Sequence, residues 1–188
     1  KILGLSGSLR AGSFNTALLR AAQGLLPEGA TLELATLHGV PLFDGDDEAK
    51  AGAPEAVRAL KQRLLDSDAL LIASPEYNGG VPGVLKNGID WISRPSTGFP
   101  NVLRDRPVAL MGASPGGFGS LSAQLHWMPV FRSLGVRPWV GGQMLVSRAN
   151  TVFGADGALQ DEALRQQLAT FLQGFAGFAA ANRPARAG

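Results

Sequence analysis

At 188 residues, with 45% hydrophobic and 17% charged side chains, the chain has the composition of one globular domain with a sizeable core. Zero cysteines exclude disulfides, thiolate catalysis and Cys-ligated metals, and a net charge of +2 without any Lys/Arg block excludes a nucleic-acid surface. No apolar run approaches the roughly 20 residues of a membrane span and the first strand starts almost at once, so neither membrane nor signal peptide is expected and the expected location is cytoplasmic.

The run Ile2 to Leu5 has strand character and breaks into Ser6-Gly7-Ser8-Leu9-Arg10-Ala11-Gly12-Ser13-Phe14-Asn15, which feeds a helix-forming run, Thr16 to Ala22. A helix N-terminus has unpaired N–H groups and a partial positive charge, which suits an anion. Ser8, Ser13, Asn15 and Thr16 add short polar donors, and Arg10 adds a planar cation that matches phosphate oxygens. A charge-assisted hydrogen bond contributes about 1.5–3 kcal/mol and a helix end about 0.3–2, whereas micromolar affinity needs about 8. Such a loop anchors a phosphate ester but needs partners elsewhere. A Walker A reading fails because Ser13 and Phe14 stand where Lys and Ser/Thr are required, and the dinucleotide pattern G-x-G-x-x-G is missing from this turn.

Thr31 to Leu37 alternates as a second strand. Residues 38–53 read as a solvated loop; its carboxylates Asp44, Asp46, Asp47 and Glu48 lack the glycine and terminal glutamate of an EF-hand. Pro54 opens a helix to about Ser67, and Asp68 to Ala73 is an apolar run of the kind covered on both sheet faces. It ends in Ser74-Pro75-Glu76-Tyr77-Asn78-Gly79-Gly80-Val81-Pro82-Gly83, followed by a helix over 84–93. Pro107 to Ala113 is a fourth strand, then come Ser114-Pro115-Gly116-Gly117-Phe118-Gly119 and a helix over 120–134 that Pro129 should distort. One or two short strand pieces lie within 136–146, a loop at 154–157, a last helix over 161–181, and a frayed tail at 183–188.

Strand and helix alternate about five times, which predicts an α/β, three-layer domain over 1–182: a five-stranded parallel sheet in order 2-1-3-4-5 with helices on both faces. In that order the loops after strands 1, 3 and 4 converge on one crevice. The second of them suits a flat ring: Pro75 stiffens it, Tyr77 offers apolar surface, Asn78 both donates and accepts, and Gly79 and Gly80 let backbone N–H groups approach closely. The third contains Gly112-Ala113-Ser114-Pro115-Gly116, a formal nucleophile elbow, so a serine hydrolase using Ser114 is a remote alternative. Against it, no Asp or Glu lies between Ser114 and His126, and Pro115 has no N–H for an oxyanion hole. His38 and His126 read as packed or capping residues, and Trp91, Trp127 and Trp139 as core or subunit-contact residues.

With these three loops in this order, the chain resembles the NAD(P)H-dependent FMN reductases of the flavodoxin-like fold, which include quinone, chromate and azo-dye reductases. The resemblance spans nearly the whole chain and also rests on Leu85-Lys86-Asn87-Gly88-Ile89-Asp90-Trp91 after the second loop. It implies that Ser8, Arg10, Ser13, Asn15 and Thr16 hold the FMN phosphate. Pro75, Glu76, Tyr77, Asn78 and Gly79 line the ring and ribityl chain, with Ser114 and Gly117 on the far edge. It further implies NADPH or NADH as co-substrate, small-molecule electron acceptors, no acid–base side chain, a homodimer or homotetramer, and hydrogen bonds to the reduced ring from the 77–80 backbone. Arg94, Arg104 and Arg106 are the candidates for a 2′-phosphate. The non-enzymatic alternative is a flavodoxin-type FMN electron carrier, although such carriers dock through a strongly acidic surface that a chain at +2 lacks.

Overall fold

A computed structural model describes residues 1–95 and 99–184; the predicted tail therefore falls mostly outside the described residues. Strands β1 (Ile2–Ser6), β2 (Leu32–Ala35), β3 (Ala69–Ala73) and β4 (Pro107–Ala113) lie parallel in the order β2-β1-β3-β4. Ile2 stands between Leu32 and Ala69, and Leu70 beside Val108. β1, β3 and β4 are buried along their whole length, which is why they read as continuous apolar runs.

Two short strands share the last position: β5 (Arg137–Pro138) pairs with the start of β4 and β6 (Met144–Val146) with its end. Between them Trp139 packs on Phe171 and Phe175, with ring centroids 4.9 and 5.8 Å away, and the chain returns to the sheet after Gly141 and Gly142. The expected order 2-1-3-4-5 thus stands, with its fifth strand split in two.

Helices α1 (Phe14–Gln23) and α7 (Glu162–Ala181) cover one face, and α3 (Glu55–Leu65), α4 (Gly83–Ser93) and α5 (Leu121–Leu134) the other. Residues 38–53, expected as a loop, contain helix α2 (Gly45–Ala51). It buries no side chain, so it has no apolar stripe to reveal it, but Asp44 caps it, three acidic residues fill its first turn and Gly52 (φ 74°) ends it. A four-residue helix, α6 (Ala149–Val152), stands where the sequence predicts no element. Helix α5 continues through Pro129 despite the expected distortion; the residue that loses a bond there is the exposed Leu125. No helix among the described residues is long and apolar enough to cross a membrane.

Candidate functional site

β1, β3 and β4 end at the same sheet edge, where their loops surround a cleft of about 70 Å³ whose walls include Ser8, Arg10, Ser13, Pro75, Tyr77 and Ser114. The first two loops touch because of Gly7. Its N–H donates to the Ala73 carbonyl at 2.9 Å, and a Cβ there would stand 2.7 Å from Leu85 Cδ2 and 2.8 Å from Pro75 Cδ.

Ser13 caps α1: its Oγ accepts from the Thr16 N–H at 3.3 Å and its carbonyl from the Ala17 N–H at 2.9 Å. The N–H groups of Ala11, Gly12, Phe14 and Asn15 meet no protein acceptor among the described residues, and no atom lies within 4 Å of a Cβ placed on Gly12. Arg10 is exposed, and its guanidinium makes no ion pair or hydrogen bond among the described residues. Ser8 is buried and its Oγ accepts from the Arg10 N–H at 3.3 Å, which sets the turn. This cradle of open N–H groups and one unpaired cation fits a phosphate monoester.

Two of the expected phosphate ligands turn their side chains elsewhere. Asn15, 3% exposed, donates from Nδ2 to the Ala113 carbonyl at 2.9 Å and accepts from the Ala113 N–H at 3.0 Å, pairing the start of α1 with the end of β4 as a strand neighbour would. Thr16 Oγ1 lies 2.7 Å from Ser6 Oγ and ties the helix to β1. What Asn15 offers the cradle is its backbone N–H. His38, itself exposed, spans two loops, with Nδ1 3.1 Å from Thr36 Oγ1 and Nε2 3.2 Å from the Leu9 carbonyl.

In the second loop Asn78 (φ 51°) and Gly79 (φ 71°) form the centre of a two-residue hairpin, closed by Tyr77 N–H to Gly80 O at 3.2 Å and Gly80 N–H to Tyr77 O at 3.0 Å. The backbone donors expected from 77–80 therefore reduce to those of Asn78 and Gly79. Tyr77 is 46% exposed, whereas Pro75 is buried. Glu76 acts as a helix cap: its Oε2 accepts from the Ala123 N–H at 3.1 Å, in the first turn of α5, where Ser120 (φ 85°) supplies no side-chain cap. Trp91 and Trp127 are core residues, Trp127 donating to Ser74 Oγ at 3.0 Å, whereas His126 is exposed beside Gly80.

Gly112, the first glycine of the formal elbow, is a packing requirement: a Cβ would stand 1.9 Å from Ser120 Oγ and 2.4 Å from the Ser74 carbonyl. Ser114 lacks the positive φ of a strained elbow, and no histidine bonds it among the described residues, so the hydrolase reading has no geometry behind it. Among the described residues the N–H groups of Gly116 and Gly117 meet no acceptor, and a Cβ on Gly117 would meet nothing within 4 Å.

None of the arginines expected at a 2′-phosphate lies at this edge. Arg104 and Arg106 precede β4, at the opposite end of the sheet. Arg106 is 4% exposed and donates to the Val102 and Ser67 carbonyls at 2.6 and 2.5 Å; burial pushes its guanidinium down to about 10, with Asp68 opposing the shift. Arg94 follows α4, about 16 Å of helix from the second loop, and is engaged by Glu48 and the Phe43 ring. Among the described residues no group of three His, Cys, Asp or Glu is arranged to hold a metal.

A model of the family described as NADPH-dependent FMN reductase matches residues 1–151. The chain is 43% identical over 173 residues to an NAD(P)H-dependent FMN reductase of Pseudomonas aeruginosa, covering 92% of this chain and 91% of that protein. It is 36% identical to the 2-hydroxy-1,4-benzoquinone reductase of a Burkholderia species, over 94% of each. Among solved structures, a flavoenzyme NAD(P)H:(acceptor) oxidoreductase from Paracoccus denitrificans superimposes with a TM-score of 0.84 at 33% identity, covering 97% of this chain and 98% of that one.

Proposed function

The chain belongs to the NADPH-dependent FMN reductase family, and on that premise we propose that it binds one FMN across the three loops, with the phosphate in the cleft, and uses NAD(P)H to reduce quinones, free flavin, azo compounds or oxyanions such as chromate. The observation that carries this reading is the cradle at 10–16, with four N–H groups and one arginine left without protein partners among the described residues. When bound, FMN supplies the hydride chemistry, which no side chain of the protein can perform.

Arg10, Ser13 and the N–H groups of Ala11, Gly12, Phe14 and Asn15 would hold the phosphate, with Ser8 fixing the turn. Asn15 and Thr16 hold that turn against β4 and β1. Pro75, Tyr77 and the Asn78-Gly79 turn would orient the ring, with Ser114 and Gly117 across the cleft and Glu76 fixing the second loop to α5. The free N–H groups of Asn78 and Gly79 would donate to a ring that gains negative charge. No titratable side chain is assigned an acid or base role, and residues 1–182 act as one FMN-binding domain. Exposed Tyr77, Phe118, Leu125 and Val140 favour a further part of the reading, a homodimer or homotetramer that covers them; light scattering on the eluted protein checks it, and a monomer overturns it.

The protein reconstituted with FMN and mixed anaerobically with NADPH or NADH should lose flavin absorbance on a catalytic timescale, and an acceptor panel should then rank quinones against the other classes. Flavin that stays oxidised with both nucleotides overturns the reading.

A further inference from the structure

We propose that Arg148 is a specificity-determining residue that holds the 2′-phosphate of NADPH at the rim of the cleft, an inference that rests on the NAD(P)H reductase reading. Arg148 lies two residues after β6, at the same end of the sheet as the end of β4. Three backbone hydrogen bonds lace its segment to the third loop: Ser114 N–H to Val146 O at 2.9 Å, Ala149 N–H to Ser114 O at 3.0 Å, and Arg148 N–H to Gly116 O at 3.0 Å. Its own carbonyl accepts from the Thr151 N–H at 2.9 Å and from Thr151 Oγ1 at 2.8 Å.

Those bonds keep Arg148 in the left-handed region (φ 48°, ψ 44°), which disfavours any side chain with a Cβ and which Gly or Asn would enter more readily. The side chain is exposed, and its guanidinium makes no ion pair or hydrogen bond among the described residues. A planar cation on a backbone fixed against a site loop, with its donors unspent, suits a phosphate monoester.

The choice between phosphates follows from position. The flavin phosphate is provided for by Arg10 and the α1 cradle, on the first loop. Arg148 stands against the third loop, bonded to Gly116 and beside the open Gly117. The other phosphate-bearing ligand of the reaction is the nucleotide, and the group that separates NADPH from NADH is a 2′-phosphate, close to doubly charged at neutral pH. Arg94, Arg104 and Arg106 lie away from this rim.

The test uses FMN-loaded protein and two variants: Arg148→Asn, which tolerates the left-handed backbone, and Arg148→Lys, which keeps the charge without the fork. Calorimetry with 2′,5′-ADP and 5′-AMP should show wild type favouring 2′,5′-ADP, with Arg148→Asn weakening that binding about tenfold, Arg148→Lys falling between, and 5′-AMP unmoved. In steady state the kcat/KM for NADPH should fall about tenfold in Arg148→Asn while that for NADH stays within about twofold. Equal losses for both nucleotides, unchanged 2′,5′-ADP binding, or loss of FMN from the variant overturns the assignment. Failure of the reductase reading appears separately, as wild-type holoprotein that neither nucleotide bleaches.

Discussion

Arg106 stands before β4 and Arg10 after β1, at opposite ends of the sheet, and they differ in whether the protein has already supplied their acceptors. Arg106 is buried, and its donors are spent on the carbonyls of Val102 and Ser67. Arg10 is exposed among N–H groups that, like its guanidinium, lack partners among the described residues. Residue type alone therefore says little about function; an unspent donor beside other unspent donors says much more. The same distinction runs through the loops themselves, where the side chains of Ser13, Asn15, Thr16 and Glu76 are spent on bracing while, among the described residues, the Arg10 guanidinium and the N–H groups of the Asn78-Gly79 turn remain open.

If the braces beneath the loops are held as firmly as Arg106, the largest effect belongs to Gly112→Ala. The new methyl would meet the Ser74 carbonyl and Ser120 together, neither a flexible chain end, so at least about 3 kcal/mol of stability should go. Urea unfolding measures it, and a midpoint equal to wild type would mean that the third loop is not packed as described. Arg106→Met comes next: it keeps the stem but leaves two carbonyls without their donor, a loss of about 2–4 kcal/mol. FMN affinity of the folded protein should stay within about twofold, since the site is at the other end of the sheet. A selective loss of flavin in that variant would break the comparison.

Arg10→Ala should do the reverse. Removing one charge-assisted contact worth about 1.5–3 kcal/mol raises the FMN Kd roughly 10- to 100-fold, and the apo-protein's unfolding midpoint should not move. Flavin fluorescence titration at two salt concentrations reads both the affinity and the screening expected of an exposed cation.

How far these roles were legible in the chain depends on their range. The sheet order and the three converging loops follow from apolar runs and glycine punctuation, which are local signals. Asn78-Gly79 is the standard dipeptide of a two-residue hairpin, so its turn is readable from the sequence too. The pairing of Asn15 with Ala113 crosses 98 residues, and the capping of α5 by Glu76 crosses 47; both depend on which strand lies beside which, and the same side chains look like ligands until that is known. Helix α2 escaped for another reason: polar on all sides, it announces itself only through its Asp44 and Gly52 ends.

The smallest effect tests the boundary between the two kinds of residue. His38 faces solvent as Arg10 does, yet both ring nitrogens have partners, one of them the carbonyl of Leu9 just before Arg10. It should therefore behave as a brace acting on an open site. Loss of one exposed hydrogen bond contributes about 0.5–1.5 kcal/mol, so His38→Ala should weaken FMN binding by roughly 2- to 10-fold. Gln in place of His38 can still donate to Leu9 and should recover most of the affinity, which a merely bulky filler at this position would not. Equal FMN affinity in wild type, His38→Ala and His38→Gln would mean that the first loop keeps its shape through Ser8, Ser13 and Thr16 alone.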